Sequence, residues 1–277
     1  NYSLTKLVDF KNNIIETLDF SSSGNQKKFS TNIYEAVQIN DFLFSSKDFT
    51  NKLGFTNNFK TIIKNVNTDG KNSSKLKDKA QSEVLSLLSI DSLLPLIKSD
   101  DNYKNFLTPK ISLRYSPNDT KNIKDETRLI NSDNVFSLNR IGFNETIEGG
   151  GSITLGLDYE KRSQKNDDTI FTSKIATVFR DEINENLPTT STLGKKQSDI
   201  IGEINFNPLS NFNLNYDFLI NSSLDEVNFH KIENTININN FVNTFTFYEE
   251  NNLIGKKSYY ENNFSYNLDE NNKFSFK

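Results

Sequence analysis

From Ser152 onward, apolar and polar residues alternate one by one in short segments. Ile153, Leu155, Leu157 and Tyr159 fall on one side of such a segment, and Ser152, Thr154, Gly156 and Asp158 on the other. Phe212, Leu214, Tyr216, Phe218 and Ile220 repeat the pattern against Asn213, Asn215 and Asp217. Successive side chains of a strand point to opposite faces, so a period of two predicts a sheet with one apolar and one polar face. The segments are about ten residues long and separated by polar turns, the signature of an antiparallel transmembrane β-barrel.

The pattern extends along most of the chain. Tyr2, Leu4, Val8 and Phe10 share a face, as do Ile14, Leu18 and Phe20, and Ser21–Asn25 reads as a turn. Phe29, Thr31, Ile33, Val37 and Ile39 then predict a partner strand, and Phe55, Phe59, Thr61 and Ile63 another that ends near Asn67–Gly70. Residues 71–106 lose the alternation, which predicts a long surface loop with a short helix. Leu107–Tyr115 returns to strand, with Pro109 at its start, where no ladder hydrogen bond is lost. A polar loop follows to about Asn134, then a connector or short strand to Glu148 and a bend at Gly149–Gly151. Phe171–Phe179 pairs with the Ser152 segment across a turn at Gln164–Asp168, and Glu182–Gln197 is a third long loop. Strands are expected near 199–206, 211–220, 229–238, 241–248, 257–268 and 272–277, with connections alternately tight, as at Pro208–Asn211, and longer.

Composition fits a barrel better than a soluble domain. Only 34% of the 277 residues are hydrophobic and 25% are charged, and mean hydropathy is −0.61. Those values alone lean toward disorder, but 12% aromatic residues lean away from it. A wall with one face in lipid and the other in water reconciles them. There is no apolar run of about eighteen residues, so a transmembrane helix is not expected. No signal peptide is seen, residue 1 is Asn and there is no Met, so the chain reads as an interior piece of a longer protein whose last segment is cut within a strand. All 277 residues are expected to belong to one barrel domain, an open, partial barrel of roughly a dozen strands with long loops. A net charge of −4 gives no reason to expect nucleic acid. Zero Cys excludes a disulfide or thiolate metal site within these residues. The abundance of Asn, Ile, Lys and Phe hints at an AT-rich genome.

Candidate chemistry is sparse. His230, the lone histidine, supports no metal cluster or triad and reads as a surface or lumen residue at a strand start. Asp100–Asp101 and Asp167–Asp168 lie in predicted loops as solvated charge, and Gly149–Gly151 lacks the strand–GxGxxG–helix setting of a phosphate cradle. Lys75, Lys77 and Lys79 read as a solvated loop, with contact to anionic headgroups as the functional alternative. Arg180 closes an alternating segment, and Arg114 sits on the face opposite Ile111 and Leu113. An arginine facing lipid at the bilayer midplane costs about 2–4 kcal/mol, so both are expected in the lumen or at a rim, where the functional version is contact with a polar ligand or plug.

An ordered set of words then resembles a known family. Leu107–Asn118 is followed by Asp133–Gly142, Glu148-Gly-Gly, Ser152–Tyr159, Phe179-Arg-Asp, Leu187–Gly194 and Gln197–Glu203. This order resembles the barrel of the LptD family of lipopolysaccharide-assembly proteins, in an alphaproteobacterial version. The resemblance implies a large barrel in the outer membrane that receives lipopolysaccharide from periplasmic bridge proteins. It also implies an enclosed lipoprotein plug of the LptE type and a seam between the first and last strands that releases lipid into the outer leaflet. No cofactor or enzymatic role is implied, since energy comes from an inner-membrane ATPase. The family's N-terminal periplasmic domain, closing strands and disulfide cysteines are not seen here, so no gate, plug or ligand contact is assigned to any residue. On this reading the row Phe212, Leu214, Tyr216, Phe218 and Ile220 faces lipid, and Asn213, Asn215 and Asp217 face the polar head or the plug. A porin or substrate-specific channel remains the alternative function, and a soluble β-rich adhesin a third class. An enzyme has no supporting constellation.

Overall fold

The structure is a computed structural model that describes residues 2–9, 15–251, 255–268 and 272–277. Phe10 and Ile14, and the side chains of Tyr2, Leu4 and Val8, lie outside the described residues. The chain forms the strands β1 (Tyr2–Asp9), β2 (Ile15–Lys28), β3 (Tyr34–Ser46), β4 (Phe49–Thr50), β5 (Thr56–Lys71), β6 (Gln81–Leu93), β7 (Leu96–Ser99) and β8 (Tyr103–Ser116). After a long loop come β9 (Gly150–Ser163), β10 (Thr169–Arg180), β11 (Ile200–Leu209), β12 (Phe212–Ile220), β13 (Val227–Ile238), β14 (Phe241–Glu250), β15 (Lys257–Asn267) and β16 (Lys273–Phe276). Each main strand pairs antiparallel with its neighbour in one sheet, with β4 added to β5 and β7 to β8. Among the described residues no ladder joins β16 to β1, so the sheet is open, as expected.

Register fixes which residues share a face. Leu157 faces Ile175, Ile175 faces Gly202, Gly202 faces Phe218 and Phe218 faces His230. One residue along, Asp158, Lys174, Glu203, Asp217 and Lys231 form the adjoining row on the opposite face. The first face is the outer wall. Its Ile153, Leu155, Leu157 and Ile175 are each more than 40% exposed, a contiguous apolar surface that a soluble monomer rarely shows. The predicted lipid row of β12 lies on this wall. Phe218 is its one buried member, because it lies flat over Gly202, where a Cβ would stand 2.0 Å from the ring. Tyr159, Phe171, Phe206 and Phe212 continue as an aromatic ladder with centroids 5.9, 6.5 and 6.4 Å apart, near the short-turn end, in the manner of an interfacial girdle.

The two ends of the wall differ. The turns at 164–168, 210–211 and 239–240 are short, whereas 117–149 and 181–199 at the opposite end are long. Residues 117–149 fold inward. Ile123, Ile130, Val135 and Ile141 from this loop pack with Val178, Ile201 and Leu219 on the inner wall, and Ile147 packs with Val37, Ile39, Val66, Leu85 and Leu87. Full burial of such aliphatic side chains contributes about 1.5–3 kcal/mol each, so the loop is part of the core. Asn134–Glu148 forms no strand.

Three expectations are corrected. Ser21–Asn25 is no turn: β2 runs through it, and the chain reverses at 29–33, where Asn32 takes a φ of 60°. The small polar residues are used as a cross-strand ladder instead. Ser22 Oγ donates to Asn40 Oδ1 at 2.7 Å, and Asn40 Nδ2 to Asn65 Oδ1 at 3.1 Å. Residues 71–106 contain no helix. They form β6 and β7, which lifts the strand number above a dozen. Alternation is blurred there because β6 is apolar on both faces, Leu85 and Leu87 under the luminal loop and Val84 and Leu88 outside. Pro109 sits in the middle of β8. It is tolerated because the neighbouring strand breaks beside it, between Leu93 and Leu96, where Leu94 N donates to the Pro109 carbonyl at 3.0 Å.

Candidate functional site

The inward loop is seated on a cluster of three arginines and one glutamate. Arg114 is near the end of β8 and Arg180 ends β10, while Arg140 and Glu148 come from the loop itself. All four side chains are 3% exposed or less. Arg140 Nε donates to Glu148 Oε2 at 2.6 Å, Nη1 to Thr154 Oγ1 at 2.8 Å and Nη2 to Ser152 Oγ at 2.9 Å. Arg180 donates to Glu148 Oε1 and to the Gly149 carbonyl. Arg114 reaches the carbonyls of Ser137 and Leu138 at 2.5 and 2.6 Å and stands 3.8 Å from Glu148. Strand periodicity aims Ser152 and Thr154 inward to meet Arg140. Gly149 is required where the loop rejoins the wall, because a Cβ there would lie 2.3 Å from the Asn118 carbonyl.

Charge in this cluster is unbalanced, three guanidiniums to one carboxylate. Burial pushes the Glu148 carboxyl up, but Arg140, Arg114 and Arg180 together outweigh it and hold the pKa down at about 2. The remaining positive charge is met by backbone carbonyls and hydroxyls, the usual condition for a buried ion to persist. Within the cluster, Arg114 Nε is buried without a hydrogen-bond partner.

The second long loop is stitched to the first. Ile123 N donates to the Asn186 carbonyl at 2.8 Å, Thr189 N to the Lys124 carbonyl at 3.0 Å and Asn184 Nδ2 to Thr120 Oγ1 at 2.8 Å. At its far end Asp199 accepts from Asn228 Nδ2 at 2.8 Å, and burial raises its pKa. Toward the short-turn end, the inner wall stays charged: Lys174 meets Glu203 at 3.1 Å and the loop's Asp133 at 3.6 Å, and Lys110 pairs with Asp158. The lumen is thus polar below the loop and filled at the loop.

Arg114 and Arg180 therefore point into the lumen as expected, and the contact they make is with the chain's own loop. Their partners Arg140 and Glu148 were not singled out from sequence as a site. The available signal was two charges set beside Ile141 and Ile147 in a loop that should otherwise be polar. Of the two placements expected for His230, surface or lumen, the structure has the surface one, inside a strand rather than at its start. It lies inside β13 on the outer wall, 2.9 Å from Glu249, near the long-loop end. Asp100 accepts from the Asn102 and Tyr103 amides at 2.9 and 2.8 Å, which ties a turn and lowers its pKa, and Asp167 meets Lys104 at 3.0 Å. Lys75, Lys77 and Lys79 lie exposed in the loop between β5 and β6. Among the described residues no group of three or more His, Cys, Asp or Glu is placed to hold a metal ion.

A family model described as LptD, LPS transport system D, matches residues 11–274. No curated protein matches the chain.

Proposed function

The chain belongs to the LptD family, the lipopolysaccharide transport system of the outer membrane, and from that premise we propose that it forms part of a translocon wall. The barrel receives lipopolysaccharide from periplasmic bridge proteins and inserts it into the outer leaflet, with an LptE-type lipoprotein as plug in its lumen. The observation that carries this reading is the family match over residues 11–274. The wall chemistry supports it. An amphiphile with a sugar head and acyl tails needs a polar interior beside an apolar exterior, and the two rows through β9–β13 supply both. Backbone polar groups at membrane depth must all be paired, which the continuous ladder achieves along the sheet. The inward loop at residues 117–149 gives no support to an open porin, because it packs against the inner wall where a channel would need free water.

Depletion of the full-length protein is expected to stop newly made lipopolysaccharide from reaching the cell surface, read by pulse labelling and surface accessibility. Unchanged surface delivery, with loss of solute uptake instead, would overturn the reading in favour of a channel.

A further inference from the structure

On the outer wall, Ile90, Leu113, Ile153 and Phe179 form an unbroken row from β6 to β10. The next row toward the long loops, Leu88, Tyr115 and Gly151, breaks at the glycine. Beyond it stands Asp181, whose amide donates to the Gly151 carbonyl at 3.3 Å. Gly151 has no side chain to fill the place between Tyr115 and Asp181, so the apolar surface is notched there. The cavity at the notch measures about 440 Å³, the size of an ordinary ligand pocket. Its apolar side is made by Leu113, Ile153 and Phe179, all three exposed. The seat of the inward loop lies directly behind it. Ser152 and Arg180, the sequence neighbours of Gly151 and Asp181, turn inward to meet Arg140 and Glu148. The arginine cluster thus uses the inner face of this part of the wall and leaves the outer face uncovered.

The rim of the notch has the chemistry of a headgroup site. Gly151 is the second residue of β9, at the long-loop end of the strand, and the exposed Tyr115 stands beside it. Tyrosine at the end of a membrane strand sits where hydrocarbon gives way to headgroups. Asp181 Oδ2 accepts from Gly151 N at 3.0 Å, and Oδ1 accepts from Glu182 N at 2.8 Å. A carboxylate has further lone pairs to offer, and Asp181 forms no ion pair among the described residues. A negative charge is therefore open at the mouth of an apolar cavity. Lys196 sets a positive charge next to it, since its Nζ donates to the Asp181 carbonyl at 2.5 Å. One carboxylate and one ammonium above an apolar notch complement a zwitterionic head. Its ammonium meets Asp181, its phosphate meets Lys196, and its acyl chain runs along Leu113, Ile153 and Phe179. A head with several phosphates and no amine would meet like charge at Asp181 and Glu182.

We propose that this notch is a specific seat for a zwitterionic glycerophospholipid with a primary-amine head. The proposal requires the outer wall to face lipid and is independent of what the barrel transports. The test places the full-length protein in phosphatidylglycerol vesicles with a trace of phosphatidylethanolamine that carries a diazirine on one acyl chain. A parallel sample receives phosphatidylglycerol with the same diazirine, and photo-adducts are mapped by mass spectrometry. The ratio of ethanolamine to glycerol adducts is expected to be several-fold higher at Leu113, Ile153 and Phe179 than at Leu157 and Ile175 on the same wall. Asp181→Asn should bring the ratio at the notch down to that of the rest of the wall. Gly151→Leu should remove the notch adducts of both lipids, and continued labelling at Leu157 and Ile175 shows that the variant barrel is still inserted. An equal ratio along the wall, or a high ratio that survives Asp181→Asn, would overturn the proposal. Displacement of the notch adducts by an equal amount of added lipopolysaccharide would assign the seat to that lipid and also overturn it. Labelling nowhere on the wall would overturn the membrane placement together with the seat.

Discussion

Glu148 carries the electrostatics of the inward loop, since three buried guanidiniums converge on its surroundings. Glu148→Gln keeps the shape and removes the charge. Breaking a buried ion pair by neutralising one partner costs about 3–5 kcal/mol. The variant should therefore lose hydrogen-exchange protection across 121–147 while β9 and β10 keep theirs, and unchanged protection in the loop would contradict this. The same carboxyl sets a pH limit. Its folded pKa of about 2 lies below the ordinary 4.5, so the linked stabilisation, about 3 kcal/mol, is fully present above pH 4.5 and lost as pH falls toward 2. Loop protection followed by exchange or proteolysis should persist at pH 4 and fail near pH 2; failure already at pH 5 would show that Glu148 is not the group responsible.

At the level of the strand, one position along the chain changes the solvent. Leu157 is 41% exposed on the outer wall, and Asn205 lies on the inner face, where Asn205 Nδ2 donates to Glu203 at 2.7 Å. Leu157→Arg should cost about 2–4 kcal/mol in lipid, whereas Asn205→Arg, set among inner-wall carboxylates, should be close to neutral. Urea unfolding of the full-length barrel in vesicles measures the difference, and equal costs would mean the faces are assigned wrongly. The strand scale also explains the misread segments. Turn chemistry at Ser21–Asn25 yields to a Ser–Asn ladder when neighbours on both sides offer partners. Period two disappears in β6 because something apolar waits on each face, lipid outside and the loop within.

Considered whole, the molecule is an open curved sheet that carries its own filling. The loop at 117–149 and the loop at 181–199 are bound to each other and to the wall, so the long-loop end of the lumen is narrowed by covalently attached chain. That arrangement leaves two polar spaces, the charged inner wall toward the short turns and a cleft beside β2–β3. A barrel that moves an amphiphile needs such divided space, because head and tails must travel in different solvents.

Alternation by itself determined the class of fold, the two faces and nearly every strand from β8 onward. Those depend on neighbours in sequence, and period two survives wherever one face meets lipid and the other water. Arg114 and Arg180 were legible as inward residues for the same reason, since the cost of an arginine in lipid leaves no other side. Their partners were not legible. Arg140 and Glu148 sit in irregular backbone, where no periodicity assigns direction, and their meeting depends on a loop that returns through the lumen to strands far along the chain. Only the tertiary structure decided that this loop folds inward, because burial of Ile130, Val135, Ile141 and Ile147 is a property of the wall they meet and not of the segment that carries them.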